Sequence, residues 1–176
     1  MRRFLLIACL FFMCSACSIN DKPKHTFIPA IEVKTKPEVK HVLGIIGAVE
    51  PVYILPMKAS FQARIDTGAE TSSLDVDEYH FFERDGEKWV SFKITNSANN
   101  EPHVFEQKLR RKVSIRRIEK NEIRPVVKLN IKMGGQIIKA DFTLAQREKF
   151  DYQVLIGRNV LTGRAIVDTA LSNTLH

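Results

Sequence analysis

From position 41 onward, apolar and polar side chains alternate with a period of two over most of the chain, and this pattern predicts strands. Val42 to Val49 is apolar around Gly44 and Gly47, and Val52-Tyr53-Ile54-Leu55 follows Pro51. Between Lys58 and Ile65, the pattern directs Ala59, Phe61, Ala63 and Ile65 to a core and Lys58, Ser60, Gln62 and Arg64 to water. Asp85-Gly86 is a turn signal between Tyr79–Phe82 and Trp89–Ile94, and the Asn- and Ser-rich stretch 95–102 reads as a loop. Phe105, Leu109, Val113 and Ile115 support one or two more strands. The clearest hairpin comes late. Val127, Leu129, Ile131 and Met133 alternate into Gly134-Gly135, and Ile138, Ala140, Phe142 and Leu144 alternate on the return. Val154–Ile156 predicts another strand, 158–163 a short helical stretch and Ala165–Val167 a last short strand. No long amphipathic helix is visible. The chain therefore reads as mainly β, either a closed barrel or a small pair of packed sheets.

The chain has 176 residues, 44% of them hydrophobic, which suits one domain and excludes a collagenous or wholly disordered chain. All three cysteines, Cys9, Cys14 and Cys17, lie in the first 17 residues, so the domain itself holds no disulfide or thiolate metal site. Arg2 and Arg3 precede an apolar run ending at Met13, too short for a comfortable membrane span and typical of an export signal. Cys14-Ser15-Ala16-Cys17 resembles a bacterial lipobox, with Cys14 in place of the usual Leu. The resemblance implies cleavage after residue 16 and a lipid on Cys17. Ser18 in the next position implies a periplasmic protein anchored to the outer membrane. Residues 1–16 are thus expected to be the signal, 17–40 a polar tether with Pro23, Pro29 and Pro37, and 41–176 the folded domain. A Cys17→Ser variant is expected to leave the membrane fraction, and its continued lipidation would overturn this reading.

Cleavage removes two of the 27 Lys plus Arg and none of the 20 Asp plus Glu, which leaves a modest positive excess. The densest basic run, Lys108 to Lys112 with Arg116-Arg117 behind it, lacks the interleaved aromatics of a nucleic-acid surface. No nucleic-acid partner is expected. A solvated face or a grip on acidic residues of a ligand accounts better for Arg110-Arg111-Lys112.

The chemistry-bearing stretch is Arg64-Ile65-Asp66-Thr67-Gly68-Ala69-Glu70-Thr71-Ser72-Ser73-Leu74, where a core strand runs into Asp-Thr-Gly. Gly68 permits a sharp turn, and a carboxylate at a strand end is held rigidly. A second stretch, Val154-Leu155-Ile156-Gly157-Arg158-Asn159-Val160-Leu161, stands near the C-terminus. Together they resemble the retropepsins, and more specifically the bacterial retropepsin-like family often labelled "ATP-dependent zinc protease". The resemblance covers about residues 42–170 and implies a retropepsin-like closed β-barrel with one short C-terminal helix. It further implies an aspartic endopeptidase, a hydrolase acting on peptide or protein substrates.

Such chemistry needs two carboxylates sharing a proton. The chain has one Asp-Thr-Gly, and Asp168-Thr169-Ala170 lacks the glycine. The resemblance therefore implies a homodimer with an Asp66/Asp66′ dyad, Thr67 and Gly68 completing the catalytic loop, and Ala69, Glu70, Ile156, Gly157 and Arg158 supporting it or the substrate. It also implies a Glu70–Arg158 ion pair, with a backbone carbonyl or the partner chain as the other candidate for Arg158. The Asp85-Gly86 hairpin and the 97–100 loop are candidate flaps. No metal or other cofactor is expected, because His25, His41, His80, His103 and His176 form no His-Glu-x-x-His pair and no phosphate-binding Gly-Lys-Ser/Thr loop occurs. Relatives with a similar domain are associated with ligases that add glutamate chains, a substrate an exported chain is not expected to share. The alternative class is an inactive barrel that binds a peptide or envelope ligand, with Asp66 as a turn residue held by backbone hydrogen bonds.

Overall fold

The computed structural model describes residues 40–115, 122–146 and 151–175, all within one compact unit spanning 37–176. The expected signal, Cys17, the tether up to residue 39 and Arg116-Arg117 lie outside the described residues.

Strands form where period-two alternation meets a partner. In chain order they are β1 (Gly44–Ile46), β2 (Val49–Ile54), β3 (Phe61–Ile65), β4 (Ser72–Asp75), β5 (Glu78–Arg84) and β6 (Glu87–Asn96). There follow β7 (Glu101–Lys108), β8 (Arg111–Ile115), β9 (Glu122–Met133), β10 (Gln136–Ala145), β11 (Val154–Ile156), α1 (Arg158–Leu161) and β12 (Ala165–Val167). The β9–β10 hairpin turns on Gly134 and Gly135, at φ 49° and 75°, a left-handed pair that glycine adopts without strain. All eight of its predicted inward residues are buried. In β3 the inward set is Phe61, Ala63 and Ile65, and the strand starts after the alternation does.

Six strands in the order β10-β4-β11-β3-β2-β9 close on themselves through the β9–β10 pairing, so the sheet is a barrel rather than two packed layers. β9 is long enough to serve two neighbours on one edge, β8 along its first half and β2 along its second. Closure hides the unpaired edges that a short open sheet would expose. Beside the barrel, β5, β6 and β7 form a three-stranded sheet whose inner face contributes Val90, Phe92, Ile94 and Phe105 to the same core. The Phe92 and Phe105 rings stack at 5.1 Å.

The stretch 95–102 departs from the expected loop. β6 runs to Asn96 and β7 starts at Glu101, so only 97–100 turn. The polar sequence tolerates strand structure here because the buried Asn96 amide is satisfied at both ends. It donates to the Ser60 carbonyl at 3.1 Å and accepts from the Ala98 N–H at 2.8 Å.

β1 and β12 pair in parallel, and the residues after β12 fold back along β2. Ala48 N–H donates to Leu171 O and Asn173 N–H to Val49 O, each at 2.8 Å. The anchor is Glu50, which is fully buried. Its carboxylate accepts from Gly47 N–H at 2.5 Å, Thr174 Oγ1 at 2.7 Å, Leu175 N–H at 2.9 Å and Thr174 N–H at 3.1 Å. Burial alone raises the Glu50 pKa, but these donors outweigh it and hold the carboxyl below its ordinary value.

Candidate functional site

Asp66 follows β3 directly, and its position is set by the neighbouring strand. β11 pairs with β3 in parallel, and the Asp66 N–H donates to Ile156 O at 2.9 Å. The Asp66 Oδ1 accepts from Gly68 N–H at 2.9 Å and Ala69 N–H at 3.1 Å, so the carboxylate closes its own turn. Thr67 and Gly68 are exposed at the tip, and Ala69 is half-buried.

The two motifs, about 90 residues apart, are stitched together mainly through backbone groups. Gly157 lies under the loop so closely that a Cβ there would meet Ala69 O and the Thr71 carbonyl carbon, each at 2.9 Å. Arg158 N–H donates to Ala69 O at 2.8 Å and Asn159 N–H to Glu70 O at 3.1 Å. The Arg158 guanidinium donates from Nη1 to Gly68 O at 2.6 Å and Thr67 O at 3.1 Å. The ion pair with Glu70 is therefore replaced by the other candidate, a backbone carbonyl grip. Glu70 is exposed, where a salt bridge gains little, whereas the Thr67 and Gly68 carbonyls present two acceptors to one planar donor.

Two residues of this brace carried no assigned role in the sequence. Ser72, fully buried, donates from Oγ to Asn159 Oδ1 at 2.8 Å and accepts from Gly157 N–H at 3.0 Å. Asn159 Oδ1 also accepts from Ser72 N–H, while its Nδ2 donates to Asp141 O at 2.8 Å. The hydroxyl run Thr71-Ser72-Ser73 beside the Asp-Thr-Gly was the available signal, but its partner lies 87 positions on.

Two pockets adjoin at Thr71. One, of about 570 Å³, is lined by Arg111, Lys128, Lys139 and Arg158 together with Glu70 and Asp141. Arg111 Nη1 sits 2.9 Å from Asp141 Oδ2, and Lys128 Nζ lies 3.8 Å from Asp141 Oδ1. Four cations face two carboxylates, a net positive cleft. The other pocket, of about 490 Å³, contains Asp66 with Val113, Ile115, Leu155 and Arg124. Arg124 is buried and paired bidentately with Glu122, Nε to Oε1 at 2.7 Å and Nη2 to Oε2 at 2.8 Å. Tyr79 buttresses this strand end by donating its hydroxyl to Ile123 O at 3.0 Å. Burial, and then the Glu122 charge, raise the Tyr79 pKa, with Arg124 opposing. The walls around Asp66 thus come from β8 and β9 with Ser73 of β4, Thr143 of β10 and Leu155 of β11. Neither the Asp85-Gly86 hairpin nor the 97–100 loop lines this pocket.

A closed β-barrel with an Asp-Thr-Gly loop braced by a Gly-Arg-Asn segment defines the class of this protein. Within it, the chain belongs to the RimB-like family, described as the retropepsin-like aspartic endopeptidase RimB, which matches residues 45–175. Curated relatives carry another name. A probable alpha-L-glutamate ligase of Desulfotalea psychrophila is 33% identical over 121 residues, 66% of this chain and 26% of that protein. A probable alpha-L-glutamate ligase of Shewanella pealeana is 32% identical over 118 residues, 64% of this chain and 25% of that protein. This chain therefore spans about a quarter of the length of the curated relatives it matches. Among solved structures, Lpg0085 of Legionella pneumophila, a protein of unknown function, is 30% identical with a TM-score of 0.65, covering 76% of this chain and 98% of that one.

These findings correct the expected activity. The matching curated proteins are ligases by name and the solved relative has no assigned function, so the reading of this chain as an aspartic protease, a peptidase working through an Asp66/Asp66′ dyad, is overturned. The motif alone could not reveal this, since Asp-Thr-Gly serves a turn as readily as a reaction.

Proposed function

We propose that the domain is a barrel of the retropepsin-like type that binds an extended acidic peptide in the two adjoining pockets and holds it without cleaving it. The observation that carries this reading is the cleft where Arg111, Lys128, Lys139 and Arg158 outnumber Glu70 and Asp141. Such a field attracts and retains a chain of carboxylates. The family relatives, named for glutamate, support the same ligand chemistry. In this reading Asp66 is a turn residue, its Oδ1 occupied by the Gly68 and Ala69 N–H groups. Both pockets are lined by residues of one chain.

The test is fluorescence anisotropy with a labelled hexaglutamate peptide. Lys128→Gln with Lys139→Gln should weaken binding about tenfold, the sum of two partly exposed ion pairs, and added salt should weaken it further. Equal binding of a hexaglutamine peptide, or affinity indifferent to both substitutions, would overturn the reading.

A further inference from the structure

The two halves of the groove differ in charge. In the lysine-lined pocket the cations exceed the carboxylates by two. Across Thr71, Arg124 is the cation lining the other pocket among the described residues, and both oxygens of Glu122 already occupy its Nε and Nη2. The Arg124 side chain is only 8% exposed, so the guanidinium is largely withdrawn from solvent. Asp66 stands in the same pocket, so among the described residues it and the Arg124–Glu122 pair together carry one net negative charge. A ligand carboxylate placed there would meet the like charge of Asp66, and among the described residues it would find no uncompensated cation. Beside the hydroxyls of Thr71, Ser73 and Thr143, the pocket is walled by Val113, Ile115 and Leu155, each half-buried, and these three offer apolar surface that a ligand could cover.

We infer that the ligand is a peptide at an acidic–apolar junction, with acidic residues over Lys128 and Lys139 and an aliphatic residue beside Asp66, between Ile115 and Leu155. This rests on the acidic-peptide reading and narrows it: a uniform acidic tract fills only half of the groove. Because Thr71 lines both pockets, the acidic and aliphatic residues are close neighbours in the peptide, within a few residues at about 3.3 Å each.

The experiment uses the full chain and four labelled hexapeptides: six Glu, three Glu followed by three Leu, three Leu followed by three Glu, and three Gln followed by three Leu. The better of the two junction orders should bind about tenfold or more tighter than six Glu, the discrimination that an apolar pocket supplies. Ile115→Asp should return that peptide to the level of six Glu. Leu155→Ala should narrow the same gap, and it stands in if Ile115→Asp fails to fold by circular dichroism. Six Glu binding as tightly as both junction peptides would overturn the junction inference and leave the acidic reading intact. A junction peptide indifferent to the wall substitutions would overturn the inference too. Failure of every Glu-containing peptide to bind, or equal binding of the Gln–Leu peptide, would instead sink the acidic reading beneath it.

Discussion

A Gly157→Ala variant is expected to lose about 3 kcal/mol of stability, at the upper end of what overpacking a close contact costs. The reason is that its new methyl has nowhere to go. The nearest atoms, Ala69 O and the Thr71 carbonyl carbon at 2.9 Å and Ser72 N at 3.1 Å, are all backbone, and no side-chain rotation relieves them. Separating the segments would stretch Arg158 N–H to Ala69 O and Gly157 N–H to Ser72 Oγ, the bonds that hold the Asp66 loop on β11. Acidic-peptide binding should fall with stability, because Arg158 and Thr71 line the groove. Urea unfolding followed by circular dichroism gives the first quantity and peptide anisotropy the second. A stability within about 1 kcal/mol of the parent would show that the two segments are not in rigid contact.

Glu50→Ala is expected to cost about as much, on the order of 3 kcal/mol, by a different route. It strands four donors, the Gly47, Thr174 and Leu175 N–H groups and the Thr174 hydroxyl, and unsatisfied buried donors cost about 1–3 kcal/mol each until the segment peels away and hydrates. Detachment of residues 171–175 limits the total. Hydrogen exchange should show it directly as lost protection at Asn173 and Leu175, whose N–H groups bond Val49 O and Glu50. The carboxyl also makes stability depend on pH. Its folded pKa lies below the ordinary 4.5, so its contribution is complete above that value and is lost as pH falls through the folded pKa. Glu50→Gln should therefore flatten the acid side of a plot of melting temperature against pH while lowering its neutral plateau. An unchanged acid limb would mean that another carboxylate governs it.

Much of the strand layout was legible in sequence because it is local. Alternation with period two, interrupted by Gly134-Gly135 and Asp85-Gly86, places two hairpins with little regard to the rest of the chain. The split of the 95–102 stretch between two strands was not legible, because it depends on the Ser60 carbonyl, 36 positions away, satisfying the Asn96 amide. The same contrast holds at the site. The two motifs could be singled out by composition, yet the partner of Arg158 turned on which acceptors the folded loop presents. The Thr67 and Gly68 carbonyls won over the nearby Glu70 carboxylate because a tight turn aims them at the guanidinium.

Sequence alone determined that this is a mainly β chain with two distinctive motifs and an excess of basic residues, since residue type, spacing and turn chemistry act within a few positions of themselves. Tertiary structure decided the rest. Closure of the sheet into a barrel follows from β9 and β10 pairing at its ends, and the charge-divided groove from β8, β9, β10 and α1 converging on one loop. Glu50 makes the physical reason plain. In the sequence it is one acidic residue between Val49 and Pro51, with nothing to distinguish it. It becomes an anchor only when residues 124 positions away return to donate their hydrogen bonds, because burying a carboxylate is tolerable only where donors replace the water it gives up.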